Sequence, residues 1–211
     1  MKIHRDLIQG TDEWLAVRAG KITSTAGKPL LQVGKEEMGF GKGAITELYK
    51  ILDERLSGEP RDSFGGSKAT EFGHESEGLG RLEYERRNFV KVEEVGFISK
   101  TDFIGTSPDG IMEKMKRGFE GKSLPVEHIR IKDTNKPVDA HVFQCQWNLW
   151  CTGWDDWDLV YHSPRLPKSC NYVEFNLKPD LALHAKLDEV TSKFIILLDD
   201  KFIKHTALNE S

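Results

Sequence analysis

The sequence predicts an α+β (mixed α/β) fold: a central sheet flanked by helices, in one domain spanning residues 1–211. Three observations predict it. Apolar residues recur at helical spacing in the N-terminal part. Short β-like runs then cluster between Asn88 and Gly121. After them come a helix, two strand candidates and an amphipathic C-terminal segment. With 38% hydrophobic and 30% charged residues, disorder and fibrous repeats are excluded as whole-chain descriptions.

In chain order, residues 11–31 read as a helical entry that Thr11 or Asp12 can cap, with Glu13 in the first turn. Gly20 divides it, and Thr23 or Ser24 offers a second cap. Residues 32–43 (QVGKEEMGFGKG) read as a loop. Ile45, Leu48, Leu52 and Leu56 mark a helix over 44–56. A second loop covers 57–68, and a helix follows over about 69–87 with Phe72, Leu79, Leu82 and Tyr84. The runs FVKVEEVGFIS, DFIGTS, GIMEKM and GFEGK read as strands. Residues 138–152 read as a helix, WDLVYHS and YVEFNL as two strands, and Pro179 as the opening of a last helix to about His205. Trp147, Trp150, Trp154 and Trp157 read as core rather than base-stacking platforms.

Several functional classes are disfavoured. No apolar run approaches the ~18 residues of a membrane span; the longest is Phe194–Leu198. The start MKIHRDLIQG lacks the apolar region of a signal peptide. Cys145, Cys151 and Cys170 form no CxxC pair, so an intracellular, reduced, cytoplasmic protein is expected. The Gly-rich segments do not fit GxxxxGK, and His74-Glu75 is not HExxH. A net charge of −4 gives no global attraction to nucleic acid, although a local basic groove can coexist with it.

The chemistry concentrates in GTSPDGIMEKMKRGFEGKSLP. Asp109 lies between Pro108 and Gly110, and Glu120 and Lys122 follow eleven and thirteen residues later. Residues i and i+2 of a strand share a face, so Glu120 and Lys122 point the same way. If 111–115 and 118–122 form a hairpin, Asp109 sits across from Glu120. Two carboxylates with open positions suit Mg²⁺ or Mn²⁺, and a neighbouring Lys can serve an attacking water. The plainer alternative is a turn aspartate beside a solvated Glu/Lys pair.

Further segments favour the first reading. TDEWLAVRAGKITSTAG (Trp14, Arg18, Gly20, Ile22, Thr23), ATEFGHESEGLGRLEYE (Gly73, Glu77), GTSPDGI, FEGK and HVFQCQWNLWCTG (Gln144, Gln146) stand in order over about 11–153. In that order they resemble the phage-type alkaline exonucleases, the lambda exonuclease family of the PD-(D/E)xK nuclease superfamily. The resemblance implies a restriction-endonuclease-like core with a central mixed β-sheet. It implies metal ligands at Glu77, Asp109, Glu120 and the carbonyl of Gly121, with Lys122 serving the nucleophilic water and Gln144 beside the site. It implies 5′-phosphate contacts at Arg18, Thr25 and Ser107, with His128 or Arg130 as a further phosphate contact. The function it implies is a Mg²⁺-dependent 5′-to-3′ exonuclease with two ions per site, Mn²⁺ substituting. Acting on linear double-stranded DNA ends, it would release mononucleotides and leave 3′ tails. A ring-shaped homotrimer, a single-strand annealing partner and a phage or prophage origin are implied too. The departures are Gly121 where a bulky apolar residue is usual, Ser123-Leu124-Pro125 for Cys-Pro, and His141 where a Tyr is common. The alternatives are an endonuclease of the same superfamily and an inactive DNA- or protein-binding module on the same fold.

Overall fold

The computed structural model describes residues 1–61, 68–124 and 126–207, and for 68–77 the backbone alone. The elements run β1 (Lys2–His4), α1 (Asp12–Arg18), α2 (Ser24–Leu30), α3 (Lys42–Ser57), α4 (Lys68–Asn88), β2 (Phe97–Ser99), β3 (Gly105–Thr106) and β4 (Gly110–Met112). They continue with β5 (Arg117–Lys122), α5 (Glu127–Thr134), α6 (Asp139–Thr152), β6 (Asp156–His162), β7 (Tyr172–Leu177) and α7 (Leu181–Ala207). Among the described residues, seven helices and two sheets thus form the mixed α+β fold that the sequence predicts. No described helix is long and apolar enough to cross a membrane.

The chain divides into two compact units, each assembled from separated stretches. The first comprises Met1–Phe64, Gly96–Ser107 and Asp180–Ser211. Its sheet is antiparallel in the order β1-β2-β3. Thr11 caps α1, its hydroxyl accepting the Trp14 N–H, whereas Thr23 flanks α2 without a side-chain cap bond. Helix α3 buries Ala44, Leu48, Ile51 and Leu52 at i, i+4, i+7 and i+8. Helix α7 buries Leu187, Val190, Phe194 and Leu198 in the same manner, and Phe194 meets Phe40 edge-on. The predicted start of α7 is corrected. Pro179 precedes the helix, and the Asp180 carboxylate caps it by accepting the Leu183 N–H at 3.0 Å. Strand β1 is absent from the sequence reading because three residues carry no usable alternation.

The second unit comprises Gly65–Val95 and Pro108–Pro179. Its mixed sheet has the order β4-β5-β6-β7, with β5 and β6 parallel and the other pairs antiparallel. On one face Tyr84 of α4 joins Val92, Met112, Phe119 and Val160 in a core cluster. Tyr84 also donates to buried Asp158 at 2.5 Å, and Asp158 further accepts from Asn176 at 2.7 Å and pairs with Arg117 at 3.3 Å. The other face packs against α6. All four tryptophans of this region are buried, as expected of core. The expected hairpin is shorter than predicted. Strand β4 ends at Met112, and a 3₁₀ turn over Glu113–Met115 plus left-handed Lys116 leads into β5. The sequence does not predict helix α5; half of its eight residues are charged, and it buries only His128 and Ile131.

Candidate active site

In the second unit, Gly110 pairs with Phe119, which puts Asp109 opposite Glu120 at the mouth of the β4–β5 pair. The Gly121 N–H donates to Asp109 Oδ2 at 2.9 Å and fixes that carboxylate. Lys122 and Glu120 share a face, as the strand alternation requires. Lys122 Nζ lies 2.6 Å from Glu120 Oε1 and 3.6 Å from Asp109 Oδ2. Asp109, Glu120 and Lys122 therefore converge as the sequence predicts.

Helix α6 completes the site. Gln144 and Asn148 stand one turn apart, and their amides donate to the two oxygens of Glu120 at 2.6 and 3.1 Å. Gln144 joins the cluster; Gln146 instead donates to the Lys178 carbonyl. Asn148 escaped the sequence reading, although its i+4 spacing from Gln144 was a usable signal. Tyr161 carries no such signal, and the sequence marks His141 only as a departure from the Tyr common in the resembling family. The Tyr161 hydroxyl lies 3.0 Å from His141 Nδ1, and Tyr161 pairs in register with Lys122 on the adjacent strand.

Glu120 is fully buried. Burial first, and the facing Asp109 charge second, push its pKa up from the ordinary carboxylate value to about 8, against the pull of Lys122. One ammonium thus faces two opposed carboxyl groups, of which Glu120 is sealed from solvent and Asp109 partly exposed. A hard divalent cation would offset that repulsion, and the oxygen donors of Asp109, Glu120 and the Gly121 carbonyl suit one. The donor set fits Mg²⁺ or Mn²⁺ on chemistry, although no group of three or more His, Cys, Asp or Glu side chains converges among the described residues. The Glu77 side chain lies outside the described residues.

In the first unit, Trp14 and Arg18 stand one turn apart on α1. Trp14 Nε1 donates to the Gly96 carbonyl at 2.8 Å and to Ser107 Oγ at 3.1 Å. Arg18 donates to the same hydroxyl at 3.2 Å, its guanidinium 4.1 Å above the Trp14 ring. Arg18 and exposed Thr25 line a cleft of about 560 Å³, with Lys21, Lys50 and Arg61 on its walls. Planar donors beside hydroxyls suit a phosphate.

The sequence left His128 and Arg130 as alternatives. His128 is buried and bonds the Cys170 carbonyl through Nε2 at 2.8 Å, while Arg130 is exposed and paired with Glu127. Of the two, Arg130 presents charge to solvent.

The family model of the YqaJ-like viral recombinase domain matches residues 13–155, about two-thirds of the chain, a span that holds Arg18, Thr25, Ser107, Asp109, Glu120, Lys122, Gln144 and Asn148. The chain belongs to the YqaJ-like viral recombinase domain family. The expected kinship with phage-type alkaline exonucleases holds in the structures as well. An alkaline exonuclease (LHK-Exo) from Laribacter hongkongensis is 26% identical, matches over 95% of this YqaJ-like chain and 100% of its own, and superposes with a TM-score of 0.79. The structure of LHK-Exo in complex with dAMP matches with the same figures. A phage-related exonuclease from Haemophilus somnus 129PT shares the fold at 14% identity, over 90% of this chain and 96% of its own, with a TM-score of 0.62. No curated protein matches this YqaJ-like domain.

Proposed function

We propose that this YqaJ-like protein is a Mg²⁺-dependent exonuclease that digests one strand of linear double-stranded DNA from its 5′ end. On this reading it releases 5′-mononucleotides and leaves a 3′ tail. Family membership and the likeness to an alkaline exonuclease support a DNA exonuclease at the coarser level. The observation that carries the metal-assisted reading is the convergence of Asp109, Glu120 and Lys122, with Gln144 and Asn148 holding Glu120 in place.

Two bound Mg²⁺ ions, or Mn²⁺ in their place, would activate water and neutralise charge on the phosphoryl group. Asp109, Glu120 and the Gly121 carbonyl would hold them, joined by Glu77. Lys122 would orient the attacking water and accept or return its proton. Arg18, Thr25 and Ser107 would bind the 5′-phosphate, with Arg130 or His128 on a further phosphate. Ser107 and Asp109 are separated by Pro108 alone, so one short segment carries a residue of each function. A homotrimeric ring would keep a chain of net charge −4 on its substrate by enclosure. A single-strand annealing protein would take up the 3′ tail, in the cytoplasm of a host cell.

Digestion of linear duplexes bearing 5′-phosphate or 5′-hydroxyl ends, with Mg²⁺ or EDTA and with products sized, tests this reading. Mononucleotides from the phosphorylated end in Mg²⁺ alone are expected. Cutting of a covalently closed plasmid would make the protein an endonuclease. DNA binding without hydrolysis under any metal would make it an inactive binding module.

A further inference from the structure

Helix α6 turns one stripe toward the site: His141, Gln144 and Asn148, at spacings of three and four. The lower two grip Glu120, while His141 is gripped by Tyr161. The Tyr161 side chain is fully buried, and its phenol oxygen has two neighbours at hydrogen-bonding distance. One is the Val138 backbone N–H at 3.0 Å, which can only donate. The other is His141 Nδ1 at 3.0 Å. The phenol proton has a single acceptor, so it goes to Nδ1. Nδ1 is then unprotonated and the ring proton resides on Nε2. Nε2 has no hydrogen-bonding partner among the described residues, and the side chain is half-buried.

The ring lies one helical turn before Gln144, which holds Glu120, and its partner Tyr161 stands in register with Lys122 on the adjacent strand, so His141 borders the site. Burial first, and Lys122 second, lower its pKa to about 4 against the opposing pull of Asp109, which keeps it neutral at working pH. A neutral N–H adds a donor without adding positive charge next to Lys122.

We propose that His141 is a substrate contact whose Nε2–H donates to a non-bridging oxygen of the phosphodiester held at Asp109 and Glu120, with Tyr161 as the positioning residue that fixes the tautomer. This assignment rests on the nuclease reading.

Two measurements test it. Long-range ¹H–¹⁵N correlation spectra of the labelled full chain at pH 7 should show His141 as the Nε2–H tautomer, and Tyr161→Phe should convert it to a mixture. An Nδ1–H or imidazolium form in the wild type overturns the assignment without reference to activity. In Mg²⁺ on 5′-phosphorylated duplex, His141→Phe should lower kcat about 10–100-fold, the worth of one hydrogen bond to a charged group, with KM changed less. His141→Gln, which keeps an N–H, should stay within about 10-fold of wild type. Melting curves establish that the variants are folded. A wild type that digests DNA while folded His141→Phe keeps pace overturns the role of His141 and leaves the nuclease reading intact. A wild type that leaves DNA intact overturns both.

Discussion

Replacing Glu120 with Gln should abolish digestion and, in metal-free protein, change how stability depends on pH. The folded-state pKa of Glu120 is raised from 4.5 to about 8 by burial and by Asp109. Between those values the folded protein binds more protons than the unfolded chain. Stability therefore falls as pH rises through this window, by at most ~1.4 kcal/mol per pH unit. From pH 5.5 to 7.5 the loss is roughly 2–3 kcal/mol, or about 5–10 °C in Tm for a chain of this size. The Gln side chain cannot ionise, so that slope disappears. The amide also turns an N–H toward Asn148 or Gln144, a mismatch costing ~1–3 kcal/mol at every pH. The slope, and not the intercept, is thus the signature. Thermal and urea unfolding of wild type and Glu120→Gln in EDTA, at pH 5.5, 6.5 and 7.5, give the difference directly, because the other titrating groups are common to both proteins. A difference constant to within ~0.5 kcal/mol across that range refutes the reasoning. It would mean that Lys122, Gln144 and Asn148 stabilise the charged carboxylate fully, and that no electrostatic cost awaits a cation.

Mg²⁺ at about 100-fold over its dissociation constant should stabilise the wild type by ~2.7 kcal/mol, read as a rise in Tm, and should leave Asp109→Asn unmoved; equal shifts in both would take the ion elsewhere. Arg18→Ala should reduce the preference for 5′-phosphate over 5′-hydroxyl ends by about 10–100-fold while the melting temperature changes little, and a preserved preference would remove Arg18 from the socket. Tyr84→Phe should cost about 1.5–3 kcal/mol by thermal melting, since it takes one donor from buried Asp158, and a neutral result would assign that carboxylate to Arg117 and Asn176 alone. Gly118→Ala places a Cβ 2.3 Å from ring carbons of fully buried Trp157, so β5 must shift; a loss of ~1–3 kcal/mol is expected, with a larger loss of activity because Glu120 lies two residues on.

The site was legible where one short segment carried it. Glu120 and Lys122 fall on one strand and Asp109 immediately precedes the strand paired with it, so the alternation of β5 and the short connection fix which side chains meet. Long amphipathic helices such as α3 and α7 were equally legible, because their periodicity is repeated over several turns. What stayed hidden depends on contacts distant in sequence. Nothing local in EHIRIKDT announces a helix that buries His128 against the Cys170 carbonyl. Nothing in WDLVYHS says that Tyr161 reaches back to His141 and the start of α6. Asn148 lay between these cases: its spacing from Gln144 was visible, but its target, Glu120, was 28 residues away.

The β5–β6 pair holds a buried carboxylate on each face, and the contrast between them separates structure from function. Phe119 pairs with Asp158, and both face Tyr84 of α4; Glu120, one residue on, faces α6. Asp158 is tied to α4, β5 and β7 through Tyr84, Arg117 and Asn176, so it fastens three elements of the sheet layer together. Glu120 draws its donors from its own strand and from one helix, and it faces a second carboxylate across the hairpin. A purely structural acid gains nothing from such a neighbour, since like charges raise the cost of burial. That cost makes sense where a cation and a phosphate are to be met, because a site pre-set for positive charge binds it without rearranging. The sequence shows two acids in two strands; only their partners show which one the fold can spare from holding itself together.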